Sequence, residues 1–428
     1  MLTIYIILVI LALLTILGAP LFSIILAGAM FGFYISGVDL SVIAIEIYRI
    51  ADTPLLLALP MFTFAGYLMG QSQTSKRLVR LTQVFIGWMP GGLAIVSLVA
   101  CALFTAFTGA SGVTIVALGA LLYPALMQAG YQKKFSLGLV TTSGSLGLLF
   151  PPSLPLILYG VIVQQMGIGP QFTIDDLFLA GLLPGLLMVV LLSLWSLWIN
   201  RPRLMPVSRF SAKEALTALR EAAWELPLPI FLIAGVYGGF VAISEAAAVT
   251  AMYVLVVEVF IYKEIKLSQL PVFIRDSMVM VGGILLILAV SLAFTNFLID
   301  AEIPMKIFDL IQTHIGDKIA FLILLNVLLL LLGAILDIFS ALVIMVPLIL
   351  PVALSYGISP IHLGIIFLAN MQIGYFTPPV GMNLFIASYR FEKPVAEIYK
   401  ATIPFMIVLL AAVLLITYWP DLSLALLK

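Results

Sequence analysis

The chain has 428 residues, of which 63% are hydrophobic and only 9% are charged, and its formal net charge is zero. A soluble domain carries about 25% charged residues, so this composition excludes one, and the neutral balance gives no electrostatic footprint for nucleic acid. The mean hydropathy of +1.24 and the repeated long apolar runs predict an all-α polytopic membrane protein that lies in a lipid bilayer.

Six apolar runs follow one another in the first half of the chain. They cover residues 2–18, 20–37, 54–70, 91–127, 135–162 and 177–199. The run 91–127 is too long for one crossing, and the glycines and hydroxyl residues of 108–112 at its middle favour a turn. We therefore predict a re-entrant hairpin of two half-length helices that enter and leave the membrane by the same face.

The run 135–162 is interrupted by a Pro-Pro pair, and the second half of the chain repeats this pattern. Gly147–Pro152 and Gly374–Pro379 are related by an offset of 227 residues, which also relates Pro124 to Pro351. Proline removes a backbone donor and clashes with the preceding turn, so each pair predicts a broken helix. Broken backbone inside a bilayer is tolerated where it lines a cavity, so matched breaks indicate a transporter's binding site.

The offset divides the chain into two repeats, 1–199 and 227–428, joined by an amphipathic cytoplasmic linker, 200–226. In the second repeat we predict the hairpin at 319–355 and the broken helix at 361–388. Each repeat has an odd number of predicted crossings, so the second repeat is inverted relative to the first. Most of the 20 Lys and Arg residues then fall in cytoplasmic loops, as the positive-inside rule requires, and both termini lie outside.

Polar groups and helix ends cluster at the hairpin tips and at the breaks. A small hard cation such as sodium needs about five or six oxygen ligands, and hydroxyls, free helix-end carbonyls and one carboxylate can supply them. The residues predicted to bind the cation are Thr108, Gly109, Ser111, Thr114, Ser143, Ser145, Gly147, Pro151, Gly333, Asp337, Gly374, Thr377 and Pro378. The alternative for these segments is helix packing through small residues.

Asp337 is a charged residue within an otherwise apolar run, at the tip of the second predicted hairpin. An intramembrane carboxylate without a partner costs about 3 kcal/mol or more, so it is predicted to be functional. It can ligate a cation, cap the returning helix or carry a coupling proton. The sequence leaves these three roles open.

The substrate is predicted to bind between the two hairpin tips. Its predicted contacts are Ser111, Pro152, Ser153, Ser340, Pro379 and Asn383. The sequence contains no phosphate-binding loop, zinc-binding motif or nucleophile elbow. No catalytic residue, cofactor or ATP-driven step is therefore predicted, and transport is expected to draw on an ion gradient.

Four segments carry a family resemblance: Thr108–Thr114, Gly147–Ser153, Leu336–Ser340 and Thr377–Gly381. Together they resemble the large membrane subunit of the tripartite ATP-independent periplasmic (TRAP) transporters, the DctM-like family, and the similarity covers essentially the full length. The resemblance implies a complex with a small four-helix membrane subunit in the bacterial inner membrane, with both termini periplasmic. It also implies sodium-driven uptake of an organic acid, such as a C4-dicarboxylate or a sialic acid, that a periplasmic binding protein delivers.

The resemblance further implies an elevator motion, in which a hairpin-bearing transport domain moves against a scaffold. The transport domain is expected to contain 91–162 and 319–388, with the ion sites at the tips and the facing breaks. The expected scaffold segments are 2–70, 177–199, 227–299 and 402–420.

Two alternatives stay open on the sequence. One is a stand-alone ion-coupled anion symporter that needs no partner proteins. The other is an intramembrane enzyme or a lipid flippase. This second alternative is disfavoured because the sequence offers only one clear midplane carboxylate, Asp337, and no histidine at that depth.

Overall fold

The computed structural model is built of helices, and no strand occurs among the residues it describes. These residues are 10–11, 13–14, 17, 19–51, 54–89, 91–201, 211–237, 240–378 and 380–427. Seven of the described helices are long and apolar enough to cross a membrane, and one bent pair could form an eighth span. Length and composition therefore agree with the predicted polytopic membrane protein.

The first half of the chain forms the helices α1 to α9 within the described residues. They are α1 (Leu21–Ser36), α2 (Ser41–Ala51), α3 (Ala58–Gln71), α4 (Thr74–Ile86), α5 (Gly92–Thr108), α6 (Ser111–Gln128), α7 (Lys133–Ser143), α8 (Leu154–Met166) and α9 (Ile174–Asn200). Apolar residues surround α9 on every side, which is typical of a helix enclosed by protein and lipid.

The second half forms the helices α10 to α20. They are α10 (Ala212–Glu221), α11 (Pro227–Tyr237), α12 (Ile243–Val256), α13 (Leu270–Asp300), α14 (Ile303–His314), α15 (Lys318–Ile335), α16 (Ile338–Ser355), α17 (Pro360–Gly374), α18 (Met382–Phe391), α19 (Val395–Tyr418) and α20 (Asp421–Leu424). The described part of the predicted linker contains α10, whose N-cap is Ser211 and which buries Ala215 and Ala218.

The segment predicted as the first hairpin folds as α5 and α6, joined at Gly109. Gly109 has a φ of +64°, which L side chains rarely adopt, and the Thr105 and Thr114 hydroxyls are 2.6 Å apart across the pair. In the second half, Leu336 and Asp337 join α15 to α16. These helices have 17 or 18 residues, about 27 Å in an α-helix, which is the length that each predicted run gives when the turn divides it in half.

Each break begins before its Pro-Pro pair. α7 ends at Ser143, a 3-10 turn covers Leu146–Leu149, and α8 begins at Leu154 after a bend of 40°. α17 likewise ends at Gly374, ahead of Pro378. The interruption predicted at the prolines themselves therefore lies nearer the N-terminus. A proline ring clashes with the carbonyl group four residues earlier, which accounts for the end of α17 at Gly374, whereas α7 ends one further turn before Gly147.

The helices form two groups, which also contact each other through α3 and α5 and through α13 and α16. The hairpin body contains α5–α9 and α15–α19, and the scaffold body contains α1–α3 and α11–α13. α9 and α19 were expected to belong to the scaffold, but α9 packs on α5 and α17, and α19 packs on α7, α17 and α9. Close backbone approach is the reason, because a Cβ on Gly181 of α9 would overlap the carbonyl of Leu149, and one on Gly138 of α7 would overlap that of Ala401 in α19.

Gly374 and Gly333 let the second break contact α15 directly. A Cβ on Gly374 would lie 2.5 Å from the backbone of Gly333, so we expect Gly374→Ala to destabilise the fold by about 1–3 kcal/mol through overpacking. Thermal unfolding of the purified protein measures this. Gly282→Ala is the control, because a Cβ there meets nothing within 4 Å and alanine in a helix interior stabilises by up to about 1 kcal/mol. Equal unfolding temperatures for the two variants would contradict the packing.

A buried ionic cluster joins the start of α4 to the segment that follows α12. The Arg77 guanidinium donates to Glu225 and, over 2.5 Å, to Glu264, and Glu258 lies 3.6 Å from its Nη2. The Arg77 Cζ also lies 3.9 Å from the centre of the Tyr262 ring. Burial opposes the charge on Arg77, but the hydrogen bonds to Glu264 and Glu225 outweigh it and raise its pKa. The cluster therefore fixes the start of α4 against the scaffold body.

Candidate functional site

A cavity of about 1020 Å³ separates the tips of the two hairpins from the scaffold body. Residues 109–112 of the first tip line it, together with Asp337, Phe339 and Ser340 of the second tip and one side of α18. The end of α3 and the middle of α13 form the facing wall. Two tips that are far apart in the sequence therefore meet at one site.

The first tip combines hydroxyl groups with helix ends. Ser111 lies on the cavity wall, and its Oγ donates to Asn383 Oδ1 of α18 over 2.8 Å. Thr108 ends α5, and its Oγ1 is buried with no hydrogen-bond partner among the described residues. Thr114 lies one turn into α6 and shares its hydroxyl hydrogen bond with Thr105. The tip therefore holds one buried hydroxyl oxygen that is available to a cation.

Asp337 at the second tip is the N-cap of α16. Its Oδ1 accepts from the backbone N–H groups of Phe339 and Ser340, each over 3.0 Å, and its Oδ2 accepts from Ser340 Oγ. Asp337 also lines the cavity and is partly exposed to it. Of the three roles that the sequence leaves open, the structure shows capping, and it leaves the carboxylate within reach of an ion in the cavity.

The hydroxyl groups in the breaks bond to nearby backbone. Ser143 donates to the carbonyl of Val140 over 3.4 Å, and Thr377 donates to that of Ile373 over 2.8 Å. Ser153 is the N-cap of α8. Such local bonds are common for hydroxyl residues in helices and at their starts. They make these three side chains part of the broken helices rather than of the cavity wall.

The two breaks contact each other through residues at equivalent positions. Ser145 Oγ donates to the carbonyl of Gln372 over 3.1 Å, and the two residues are 227 positions apart. Gly147 and Gly374 are also equivalent, and each lies against the backbone of the first helix of its own hairpin. A contact between equivalent residues is expected close to the axis of a two-fold relation between the halves.

The predicted site residues divide into those that line the cavity and those that do not. On the wall lie Gly109, Ser111, Asp337 and Ser340. The wall does not include Thr108, Thr114, Ser143, Ser145, Gly147, Pro151, Pro152, Ser153, Gly333, Gly374, Thr377, Pro378 and Asn383. Pro379 is outside the described residues. The tips therefore form the wall, and the breaks support them.

Comparison with known proteins identifies the family of this chain. The family model for the DctM component of the tripartite ATP-independent periplasmic transporters matches residues 8–422. The chain belongs to this family. The DctM component is a membrane permease of a tripartite transport system, so the TRAP resemblance seen in the sequence is confirmed.

Curated relatives of this TRAP permease carry different substrate names. The C4-dicarboxylate TRAP transporter large permease DctM of Rhodobacter capsulatus is 34% identical over 406 residues, which cover 92% of each chain. The ectoine/5-hydroxyectoine TRAP transporter large permease UehC of Ruegeria pomeroyi is 30% identical, over 96% of this chain and 95% of UehC. The isethionate TRAP transporter permease DctMQ of Oleidesulfovibrio alaskensis is 34% identical, over 85% of this chain and 57% of DctMQ. These relatives are named as permeases and not as enzymes.

A solved structure shares the fold. The crystal structure of the Alcanivorax borkumensis YdaH transporter aligns with a TM-score of 0.62 over 89% of this chain and 90% of that chain. The sequence identity is 15%, so the likeness concerns the fold alone. It supports the assignment of a polytopic, all-helical membrane fold.

Sequence reasoning missed the scaffold side of the permease cavity. Gly70 and Gln71 at the end of α3, and Gly283 and Ile284 in α13, face the tips across it. Tyr389 of α18 is another wall residue that was not predicted. Two adjacent glycines in the middle of the long apolar helix α13 were the available signal, because glycine inside a helix often has a packing or functional reason.

The cavity wall of the permease is mostly apolar. Asp337 is its one charged side chain among the described residues, and no described Lys, Arg or His lines it. An anion in the cavity therefore depends on bound cations, helix N-termini and hydroxyl groups rather than on a basic side chain.

Proposed function

We propose that this permease imports a small organic acid by sodium-coupled secondary transport across the inner membrane of a bacterium. A periplasmic binding protein delivers the acid, and a small four-helix membrane subunit completes the complex. The observation that carries the proposal is the meeting of both hairpin tips at one cavity beside the scaffold body. A site built on matched hairpins and breaks from two halves is typical of secondary transporters.

Sodium is the proposed coupling ion at both tips. The first tip supplies neutral oxygens, from the Thr108 hydroxyl, which has no partner in the part of the chain that the structure describes, from Ser111 and from the carbonyl end of α5. The second tip supplies the Asp337 carboxylate and the carbonyl end of α15. Oxygen ligands of this kind suit a hard cation. Because only one tip carries a charge, the two proposed ion sites differ in chemistry.

The proposed motion is an elevator movement of the hairpin body against the scaffold body. The cavity lies at the boundary between the two bodies, and its mostly apolar walls allow sliding without breaking ion pairs. The contact between Ser145 and Gln372 supports a two-fold relation between the repeats 1–199 and 227–428. Inverted repeats allow such a domain to alternate between two equivalent positions.

The proposed topology places the basic loops in the cytoplasm and both termini in the periplasm. Lys133 begins α7 and Glu397 lies in the first turn of α19, two helix starts that the topology assigns to the cytoplasm, and they form an ion pair of 2.7 Å. Arg77, Glu225 and Glu264 come from three further segments on that side and also meet. These pairings support one common side for the loops. The two terminal residues themselves lie outside the described residues.

The proposed substrate class rests on the relatives and on the cavity. The relatives are named for C4-dicarboxylate, isethionate and ectoine, which are small organic ions. A cavity of about 1020 Å³ lies at the upper end of the range for small-molecule sites, about 300–1,000 Å³. It therefore accommodates an acid of this size together with bound ions and water.

Uptake into proteoliposomes tests the proposal. We expect the permease, reconstituted with its small membrane subunit and a ligand-loaded binding protein, to accumulate radiolabelled acid when an inward sodium gradient is imposed. Replacing sodium by choline, or omitting the binding protein, is expected to abolish uptake. Uptake that is unchanged in choline contradicts sodium coupling, and uptake without the binding protein contradicts the tripartite mechanism in favour of a stand-alone symporter.

A further inference from the structure

We propose that the cavity recognises a single carboxylate of its substrate, at the start of α6, and contains no second anion-binding site. The inference rests on the proposed function, because it takes the cavity to be the substrate site. It concerns the substrate specificity of the permease itself, as distinct from the specificity of a binding protein that delivers the substrate. A permease of this kind tolerates both monocarboxylates and dicarboxylates.

The two hairpin tips differ in how the returning helix begins. The first N–H groups of an α-helix have no partner within the helix and carry a partial positive charge. In α16 these groups are occupied, because Asp337 accepts from Phe339 and Ser340. In α6 the equivalent N-cap position, 227 residues earlier, is Ala110, and no side chain among the described residues caps the helix. One tip thus carries its own carboxylate, and the other begins with an uncapped helix.

A second observation indicates a ligand at the uncapped start of α6. Asn383 is fully buried beside it, and its Oδ1 accepts from Ser111 Oγ over 2.8 Å. This bond orients the amide and leaves Asn383 Nδ2 without a hydrogen-bond partner among the described residues. A buried donor without a partner costs about 1–3 kcal/mol. An acceptor group at the tip, such as a carboxylate oxygen, would relieve that cost.

The described part of the opposite wall has no charged group to pair with a second carboxylate. Its polar side chain is the neutral amide of Gln71, and the rest of it is Gly70 of α3 with Met280, Gly283, Ile284 and Ile287 of α13. No described basic side chain lines the cavity, and the remaining charged group, Asp337, repels an anion. A buried carboxylate without a partner is strongly disfavoured, so a second acidic group has to stay in the open, hydrated part of the cavity.

Three matched four-carbon probes test the inference: butyrate, succinate and butyramide. Thermal unfolding of the purified full-length permease in lipid nanodiscs, with any copurifying subunit retained, is measured against each probe in sodium chloride and in choline chloride. We expect sodium-dependent stabilisation by butyrate and by succinate with apparent affinities within about threefold, and none by butyramide. Succinate binding at least about tenfold tighter than butyrate overturns the inference and leaves sodium-coupled transport intact. Stabilisation by none of the probes overturns the inference, and the uptake experiment then decides the proposed function separately.

Ala110→Asp tests whether the anion-binding site lies at the start of α6. It copies Asp337 into the first tip, where Ala110 has the extended backbone of an N-cap residue, so the fold is expected to be kept or stabilised. Stabilisation by both acids is expected to fall at least about tenfold, because the new carboxylate occupies the helix start. Gly283→Asp is the matched control, since it adds the same charge to the opposite wall, where a Cβ meets nothing within 4 Å.

The control is expected to lose far less affinity than Ala110→Asp. Equal losses in the two variants would mean that general charge in the cavity, and not the start of α6, governs anion binding, which overturns the inference. Gly283→Arg supplies the missing second partner. This variant is expected to prefer succinate over butyrate by about tenfold. Unchanged relative affinities would contradict the proposal that the wild-type cavity lacks a second anion-binding site.

Discussion

Replacing Asp337 by asparagine is expected to raise the sodium concentration for half-maximal uptake at least about tenfold, because hydrogen bonds and contacts that involve an ionised group are about twice as strong as neutral ones. The fold is expected to persist, since asparagine caps a helix about as well as aspartate. Asp337 now accepts from Phe339 and Ser340, and the amide oxygen of asparagine can accept the same bonds. The measurement is sodium-dependent uptake beside thermal unfolding of the purified protein.

Asp337→Ala provides the matched comparison, because it removes the charge and the cap together. Loss of an N-cap costs about 1 kcal/mol, so this variant is expected to be both less stable and less sensitive to sodium. If the asparagine variant keeps the wild-type sodium dependence and only the alanine variant is impaired, Asp337 is a structural cap and the second proposed ion site is wrong.

The turns and breaks could be predicted because their causes are local. Gly109 permits the positive φ of the first tip, and a Pro-Pro pair ends a helix wherever it stands. The helices that flank the first tip, α5 and α6, begin at Gly92 and end at Gln128, close to the predicted bounds 91–127.

The packing of the apolar helices could not be predicted. α9 and α19 pack on the hairpin body because Gly181 and Gly138 allow backbones to approach closely. Small residues of this kind mediate helix packing in membranes, but hydropathy does not say which neighbour they meet. The sequence marked Ser111 and Asp337 as site residues by their polarity. It could not separate them from Ser143 and Thr377, whose hydroxyls bond to local carbonyls.

Arg77→Ala is expected to destabilise the permease by about 3–5 kcal/mol, the usual cost of removing one partner from a buried ion pair. The Arg77 side chain is 11% exposed, and it lies among Glu225, Glu258 and Glu264, which come from segments 148 to 187 residues away. Its removal leaves three carboxylates near one another without their cation. The measurement is the free energy of unfolding, or the thermal midpoint, of the purified protein.

Arg80→Ala is the control for this prediction. Arg80 lies on the same helix, α4, and pairs with Glu221, but the two side chains are 49% and 41% exposed. Exposed ion pairs contribute about 0–1 kcal/mol because water screens them. Equal destabilisation by Arg77→Ala and Arg80→Ala would show that the Arg77 cluster is no more than a surface contact.

A second substitution separates lost charge compensation from lost packing. Glu258 is buried, and its Oε2 has no hydrogen-bond partner among the described residues. Its charge is therefore the most costly of the three to leave uncompensated when Arg77 is removed. Glu258→Gln in the Arg77→Ala background is therefore expected to restore part of the stability, because it removes one uncompensated charge while keeping the side-chain volume. Coupled residues of this kind give non-additive free energies. If the losses simply add, the guanidinium acts through packing against Tyr262, and the electrostatic role of the cluster is wrong.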